Sequence, residues 1–497
     1  MALMPRVLAL LLALVVLAGQ PAVVRASERL QQERRAGPLV VRYVGPDDAS
    51  GLAEFAWYAD AVEQAYRDVQ DVFGGALRET GTPARDEIVV TLYGDDDAYR
   101  EINPMAGRDD GVLGHAQPSE GKIGVAVARL RDKSEGYRRD AIRHELTHIV
   151  LGDLSQQRLP IGFQEGIAQY LERDLDQRER FASTIRQAQE AGRLLSFSDL
   201  NRQRQFLSVA GIAYPQSYSM VVFLAERYGF GKVLQLVTAT REARTLEEAV
   251  SRVFERTLPE LESEWLAFLP TYLTQSWARN DLDLWDLAAP RQLLAGGKYA
   301  EARDLYDRAS ALYSSMGEQE RLGQAQTERQ RAVASLEAID LTQRGMAALS
   351  AHTYPEAVDL LTQAETRWRS LGDGRRADLA AAGLMRAMDG QRAVDQVAEA
   401  RQLLAGWQFQ AAGDLAYEAG QVLAELGDSH ATAEATEVMR QARQLRTDLG
   451  LAAAGGGVAS VALLSLTWVL LRRRQLKQMK PATPRPGVAV MEQDWSL

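Results

Sequence analysis

Arg143-His144-Glu145-Leu146-Thr147-His148-Ile149-Val150 decides how the rest of this 497-residue chain is read. It lies in a stretch without glycine or proline from Tyr137 to Leu151, which predicts a helix. Four residues turn a helix through about 400°, so His144 and His148 project from one face about one turn apart. Two imidazoles so placed can supply two nitrogen ligands to one Zn2+ ion. Glu145 stands beside them, where it can take a proton from a water whose pKa the ion has lowered to about 7.

Composition narrows the chemistry around that stretch. With no cysteine, thiolate ligands, disulfides, iron–sulfur clusters and thiol nucleophiles are excluded, so a zinc site must be built from imidazole and carboxylate. Only five histidines exist, His115, His144, His148, His352 and His430. The 57 basic and 67 acidic side chains leave a net charge of −10, which argues against nucleic acid as a partner. A catalytic zinc needs a third protein ligand and an open position. Glu165 follows His148 by seventeen residues, in Leu159-Pro160-Ile161-Gly162-Phe163-Gln164-Glu165-Gly166-Ile167-Ala168-Gln169-Tyr170. Pro160 suits a helix start, and Phe163, Ile167 and Leu171 recur at helical spacing. A second helix antiparallel to the first, joined to it by the loop 152–158, would carry Glu165 to the metal.

These residues resemble the gluzincin zinc metallopeptidases, and specifically the bacterial peptidase MA-like family, over about Leu39 to Gly231. The resemblance implies that His144, His148 and Glu165 bind zinc and that Glu145 is general base and then general acid. The family segment ahead of the glutamate reads Leu-Pro-x-Trp-Leu, and here Gly162 stands at the tryptophan position. Ala213-Tyr214-Pro215-Gln216-Ser217-Tyr218 resembles the family helix whose tyrosine faces the zinc. Tyr214 matches that position as oxyanion donor, with Tyr218, one turn later, as the other candidate. The strand 121–127 corresponds to the edge strand along which such enzymes lay an extended peptide, and His115 reads as a surface or loop residue near it.

Residues 37–273 read as an α+β zincin-like metallopeptidase domain. Strands are expected at Leu39–Val44, Glu87–Tyr93 and Lys122–Val127, and helices after them. From 287 to 449 no segment looks like a strand and the chain repeats itself with a period of 55. Tyr299, Tyr354 and Phe409 keep that spacing, as do Ala302, Ala357 and Ala412, and Gly317, Gly372 and Gly427. The units resemble tetratricopeptide repeats, whose period is about 34. They predict an all-α solenoid of three helix pairs, either a spacer or a surface for a protein partner.

The two ends read as targeting segments. Residues 1–26 have the pattern of a signal peptide: Arg6, the apolar run Val7–Ala18, Pro21 and then Val24-Arg25-Ala26. Residues 451–471 carry no charge over 21 positions and predict a single transmembrane helix. Arg472, Arg473, Arg474, Lys477 and Lys480 follow, which places the tail, 472–497, in the cytoplasm. The sequence therefore predicts a zinc metallopeptidase acting on peptide or protein, anchored in the cell membrane by one helix with its body outside. The competing reading is a partner-binding membrane protein with tetratricopeptide-like repeats and a degenerate zinc domain.

Overall fold

The computed structural model describes residues 30–46, 48–103, 112–454, 467–469 and 471–472. It divides into two compact units, residues 1–333 and 334–497. In the first unit β1 (Leu30–Ala36) and β2 (Leu39–Val44) pair antiparallel. The helix α1 (Ala49–Glu79) carries the chain to β3 (Ile88–Tyr93), which pairs with β2 in parallel, Leu39 opposite Ile88 and Val41 opposite Val90. After α2 (Asp96–Ile102), β4 (Gly114–Gln117) and β5 (Lys122–Val125) form a second antiparallel pair. The sheet order is β1-β2-β3-β5-β4, so its three inner strands are parallel and both edges antiparallel.

The remaining elements of this unit are helical. They are α3 (Val127–Leu130), α4 (Glu135–Ser155), α5 (Ile161–Tyr170), α6 (Leu175–Glu190), α7 (Phe197–Leu200), α8 (Gln203–Ser208) and α9 (Ala210–Tyr228). Then come α10 (Phe230–Thr240), α11 (Leu246–Phe254), α12 (Leu258–Thr274), α13 (Ala288–Ala295), α14 (Tyr299–Met316) and α15 (Gln319–Ser350), the last running past the division. The core joins the sheet through Val41, Val90 and Leu92, α1 through Val62 and Val69, and α4 through Ile142, Ile149 and Leu154. Each such side chain withdrawn from water stabilises the fold by about 1.5–3 kcal/mol. From Asp140 onward α4 is buried on nearly every side, which explains why no polar face marks that stretch in sequence. The segment between α12 and α13 closes back over α5: Asn280 donates to the Tyr170 carbonyl, the Asp281 amide to the Tyr170 hydroxyl at 3.2 Å, and Arg178 pairs with Asp283 at 2.6 and 2.9 Å.

In the second unit α16 (Tyr354–Leu371), α17 (Gly374–Ala405), α18 (Phe409–Glu425) and α19 (Ser429–Ala454) pack around Leu349, Tyr354, Leu361, Val397, Leu423 and Val438. Gly372 and Gly427 leave the ends of α16 and α18 at φ +77°, a conformation that a β-carbon would strain.

Several expectations are corrected. Of the described residues 75% are helical and the sheet is small, so the α+β description does not hold. The sheet also has two strands beyond the three expected. β1 has the charged sequence LQQERRA with no buried side chain in its middle, and β4 spans only four residues, so neither shows an apolar alternation. Among the described residues no helix is long and apolar enough to cross a membrane. The single transmembrane helix at 451–471, single-pass anchoring and the extracytoplasmic placement of the body are therefore not supported. The helix entering that stretch, α19, carries Glu434, Glu437, Arg440, Arg443, Arg446 and Asp448 on one face and buries Ala435, Val438 and Ala442 on the other. Residues 455–466 and 470 lie outside the described residues, as do the expected signal peptide, 1–26, and the tail from 473 onward. The strand expected at the sheet edge, Lys122–Val127, is internal; β4 forms that edge.

A β-carbon on Gly231, at the start of α10, would run into the Ser315 carbonyl of α14, whereas Gly211 faces open space. Gly231→Ala should lower the unfolding free energy by about 2–3 kcal/mol, and Gly211→Ala by less than about 0.5, in denaturant titrations.

Candidate metal centre

Ser134 caps α4 by accepting from the Tyr137 amide at 3.2 Å, and Gln156 ends it with φ 52°. Between those points Arg143 locks the helix in place: it pairs with Asp68 of α1 at 2.9 Å and with Asp140 one turn back. Asp140 also accepts from the Arg173 amide at 2.8 Å, which ties α4 to the turn after α5. A short loop then brings the chain into α5, which Pro160 caps. α5 approaches α9 so closely that a β-carbon on Gly166 would meet the Ser217 carbonyl. The glycine at 162 has a similar reason. A β-carbon there would stand 2.9 Å from both Asn201 Oδ1 and the Leu200 carbonyl, which leaves no room for a tryptophan.

This packing brings His144, His148 and Glu165 together with their ligand atoms within 4.8 Å of one another. Glu165 Oε2 stands 3.3 Å from His144 Nε2 and 3.6 Å from His148 Nε2. All three residues are buried to within 1%. Among the described residues His144 Nε2 and both Glu165 oxygens find no hydrogen-bond partner. Buried polar atoms of this kind are ordinarily satisfied, so three of them aimed at one point fit a shared cation. The group could hold a metal ion.

Glu172, which sequence reasoning missed, sets the orientation of His144. Its Oε1 accepts from His144 Nδ1 at 2.7 Å, which leaves Nε2 for the shared point. Glu172 is itself held by Gln177 Nε2 at 3.3 Å and, through its carbonyl, by Arg178 at 2.8 Å. No motif announces it; the only sequence signal is an acidic residue just past the end of the helix carrying Glu165.

Charge in this buried cluster is strongly shaped. Burial opposes the imidazolium of His144, but the carboxylates of Glu165 and Glu172 outweigh it and raise its pKa. Burial pushes His148 down. For Glu165, burial works upward, yet His148 and His144 hold the carboxyl below its usual value. Burial pushes the Glu145 carboxyl up to about 8. A divalent cation at the shared point would replace a proton on His144 as the counter-charge to the carboxylates, so binding would release protons.

Tyr214 and Tyr218 stand on α9. Tyr214 is buried with its ring edge-on to Phe206 at 4.9 Å. Tyr218 belongs to an aromatic group with Tyr170 and Phe181, at 6.3 and 5.6 Å. His115 is not a surface or loop residue. It lies in β4, 7% exposed, with Nδ1 3.2 Å from the Tyr99 hydroxyl, which also accepts from Asn103 at 3.3 Å.

Residues 78–271 match the family model described as the Peptidase MA superfamily. The match supports a zincin-like peptidase domain, for which a peptide or protein is the substrate. No curated protein and no solved structure matches the chain.

Two measurements probe this centre. Glu172→Ala should weaken metal affinity about 10- to 100-fold in calorimetric titration, because His144 loses the acceptor that fixes its tautomer. Burial lowers His115 to about 4, so the folded state keeps it neutral while the unfolded chain takes a proton below about pH 6.5. Its contribution is whole above pH 6.5 and lost as pH falls toward 4, by roughly 3 kcal/mol at pH 4. His115→Gln should flatten the acid limb of the stability profile by about that amount.

Proposed function

We propose that this chain is a zinc-dependent peptidase with His144, His148 and Glu165 as ligands, Glu145 as general base and Tyr214 as oxyanion donor. The observation that carries the reading is the convergence of two imidazoles and one carboxylate, buried and mutually aimed, with Glu145 next to the first histidine. The two separations from Glu165 are compatible with a tetrahedral ion such as zinc. Donors about 2.0–2.1 Å from a tetrahedral ion stand about 3.3 Å from one another, and Glu165 Oε2 lies 3.3 and 3.6 Å from the two imidazole nitrogens. The match of residues 78–271 to the Peptidase MA superfamily supports the reaction class.

Zinc held there would supply a Lewis acid that lowers the pKa of a water to about 7 and polarises the scissile carbonyl. Glu145 would take a proton from the attacking water as the water's oxygen adds to the scissile carbonyl carbon. The C–N bond then breaks, and Glu145 returns the proton to the departing amine nitrogen. Burial raises the Glu145 carboxyl in the metal-free cluster, and a divalent cation beside it would draw it back toward the carboxylate that a general base needs. Tyr214 donates its phenolic proton in a hydrogen bond to the oxygen that gains charge.

The purified chain should hold one zinc, and Glu165→Ala less than a tenth of that, by elemental analysis. Glu145→Gln should keep the metal and lower cleavage of casein or a peptide library by at least about 10³-fold, and Tyr214→Phe by about 10²-fold. Zinc-loaded wild-type protein that cleaves no member of a broad peptide library would refute the reading.

A further inference from the structure

Strand β4 lies against α4 at the point where Glu145 sits, and its two faces differ. On one face a β-carbon built on Gly114 would stand 2.6 Å from Glu145 Oε1 and 3.0 Å from its Cγ and Cδ. The whole end of the Glu145 side chain therefore rests on the bare backbone of Gly114. On the other face the ring of His115 covers its cross-strand partner Gly124, where a β-carbon would collide with the imidazole. The His115 ring is further held by the Tyr99 hydroxyl at 3.2 Å.

The strand cannot easily retreat from α4. Gly114 to Gln117 are paired residue by residue with Val125 to Lys122, and the Ala126 amide donates to the Leu113 carbonyl at 2.8 Å. Arg85 fastens the turn after β4 to the end of α4, bonding the Pro118 carbonyl and the Asp153 carboxylate, the latter at 2.8 Å. A methyl group on residue 114 would thus displace the side chain and leave the strand in place. To reach ordinary contact near 3.5 Å, the carboxylate would have to move about 1 Å.

We propose that β4 is a two-sided seat for the general base: Gly114 provides the space in which the Glu145 carboxylate lies, and His115 pins the strand at that distance. Both are positioning residues that act through Glu145. The proposal rests on the assignment of Glu145 under the proposed function. It also gives the third histidine of the catalytic unit a role that metal ligation does not. A displacement of about 1 Å in a reacting group costs about 10²-fold in rate, and this sets the size of the expected effect.

The test uses the full chain with zinc bound. Gly114→Ala should lower kcat about 100-fold, with KM and zinc Kd within threefold of wild type. A crystal structure of Gly114→Ala should show the Glu145 carboxylate moved by about 1 Å and His144, His148 and Glu165 unmoved. Adding Gly114→Ala to Glu145→Asp, whose shorter side chain clears the site, should cost less than threefold further. His115→Gln should lower kcat about tenfold with zinc retained. A wild-type kcat in Gly114→Ala with an unmoved carboxylate overturns the seat. So does loss of zinc or of folding, since the strain would then have fallen on the fold. An unchanged kcat in His115→Gln overturns the pin. If wild type cleaves no peptide, the proposed function fails, while the crystal position of the carboxylate still decides whether Gly114 seats it.

Discussion

Three ionisable side chains, His144, His148 and Glu165, are withdrawn from water with chiefly one another as counterparts, and much of the first unit follows from that constraint. Burying an unpaired carboxylate or imidazolium is costly, so the surrounding helices must hold the three atoms in register for their charges to offset one another. α4 supplies two of them on one face and α5 the third, and each helix is fixed from outside the site. Arg143 joins α4 to α1, while Gly166 lets α5 come up against α9.

The same constraint gives purpose to contacts that look incidental. Glu172 fixes the His144 ring, Gln177 and Arg178 fix Glu172, and Asp283 fixes Arg178. A chain of hydrogen bonds thus leads from the buried imidazole to a segment more than a hundred residues further on. On the opposite side β4 closes against Glu145 through a glycine, and His115 on its far face keeps it there. The centre is held between these two supports.

Much of the centre was legible in the sequence because its signals are local. The His144–His148 spacing needs only helical geometry, and Pro160 with the Phe163 and Ile167 periodicity places Glu165 on the next helix. What was not legible depends on distant parts meeting. Glu172 has no motif, since its role comes from the turn after α5 and from Asp283. β4 was missed because four residues, two of them buried on opposite faces by Glu145 and Tyr99, show no apolar alternation. Gly162 departs from the family pattern, and only the packing of Asn201 and Leu200 explains why. The membrane helix rested on an uncharged stretch and the basic cluster after it, and no described helix bears it out.

The central claim is that a single metal ion joins the two histidines to Glu165. Anomalous diffraction at the zinc edge, on crystals of the full chain grown with zinc, tests it directly. The account predicts one peak bonded to His144 Nε2, His148 Nε2 and a Glu165 carboxylate oxygen, with Glu172 still hydrogen-bonded to His144 Nδ1. No peak at that point, or zinc held by other residues, would contradict it.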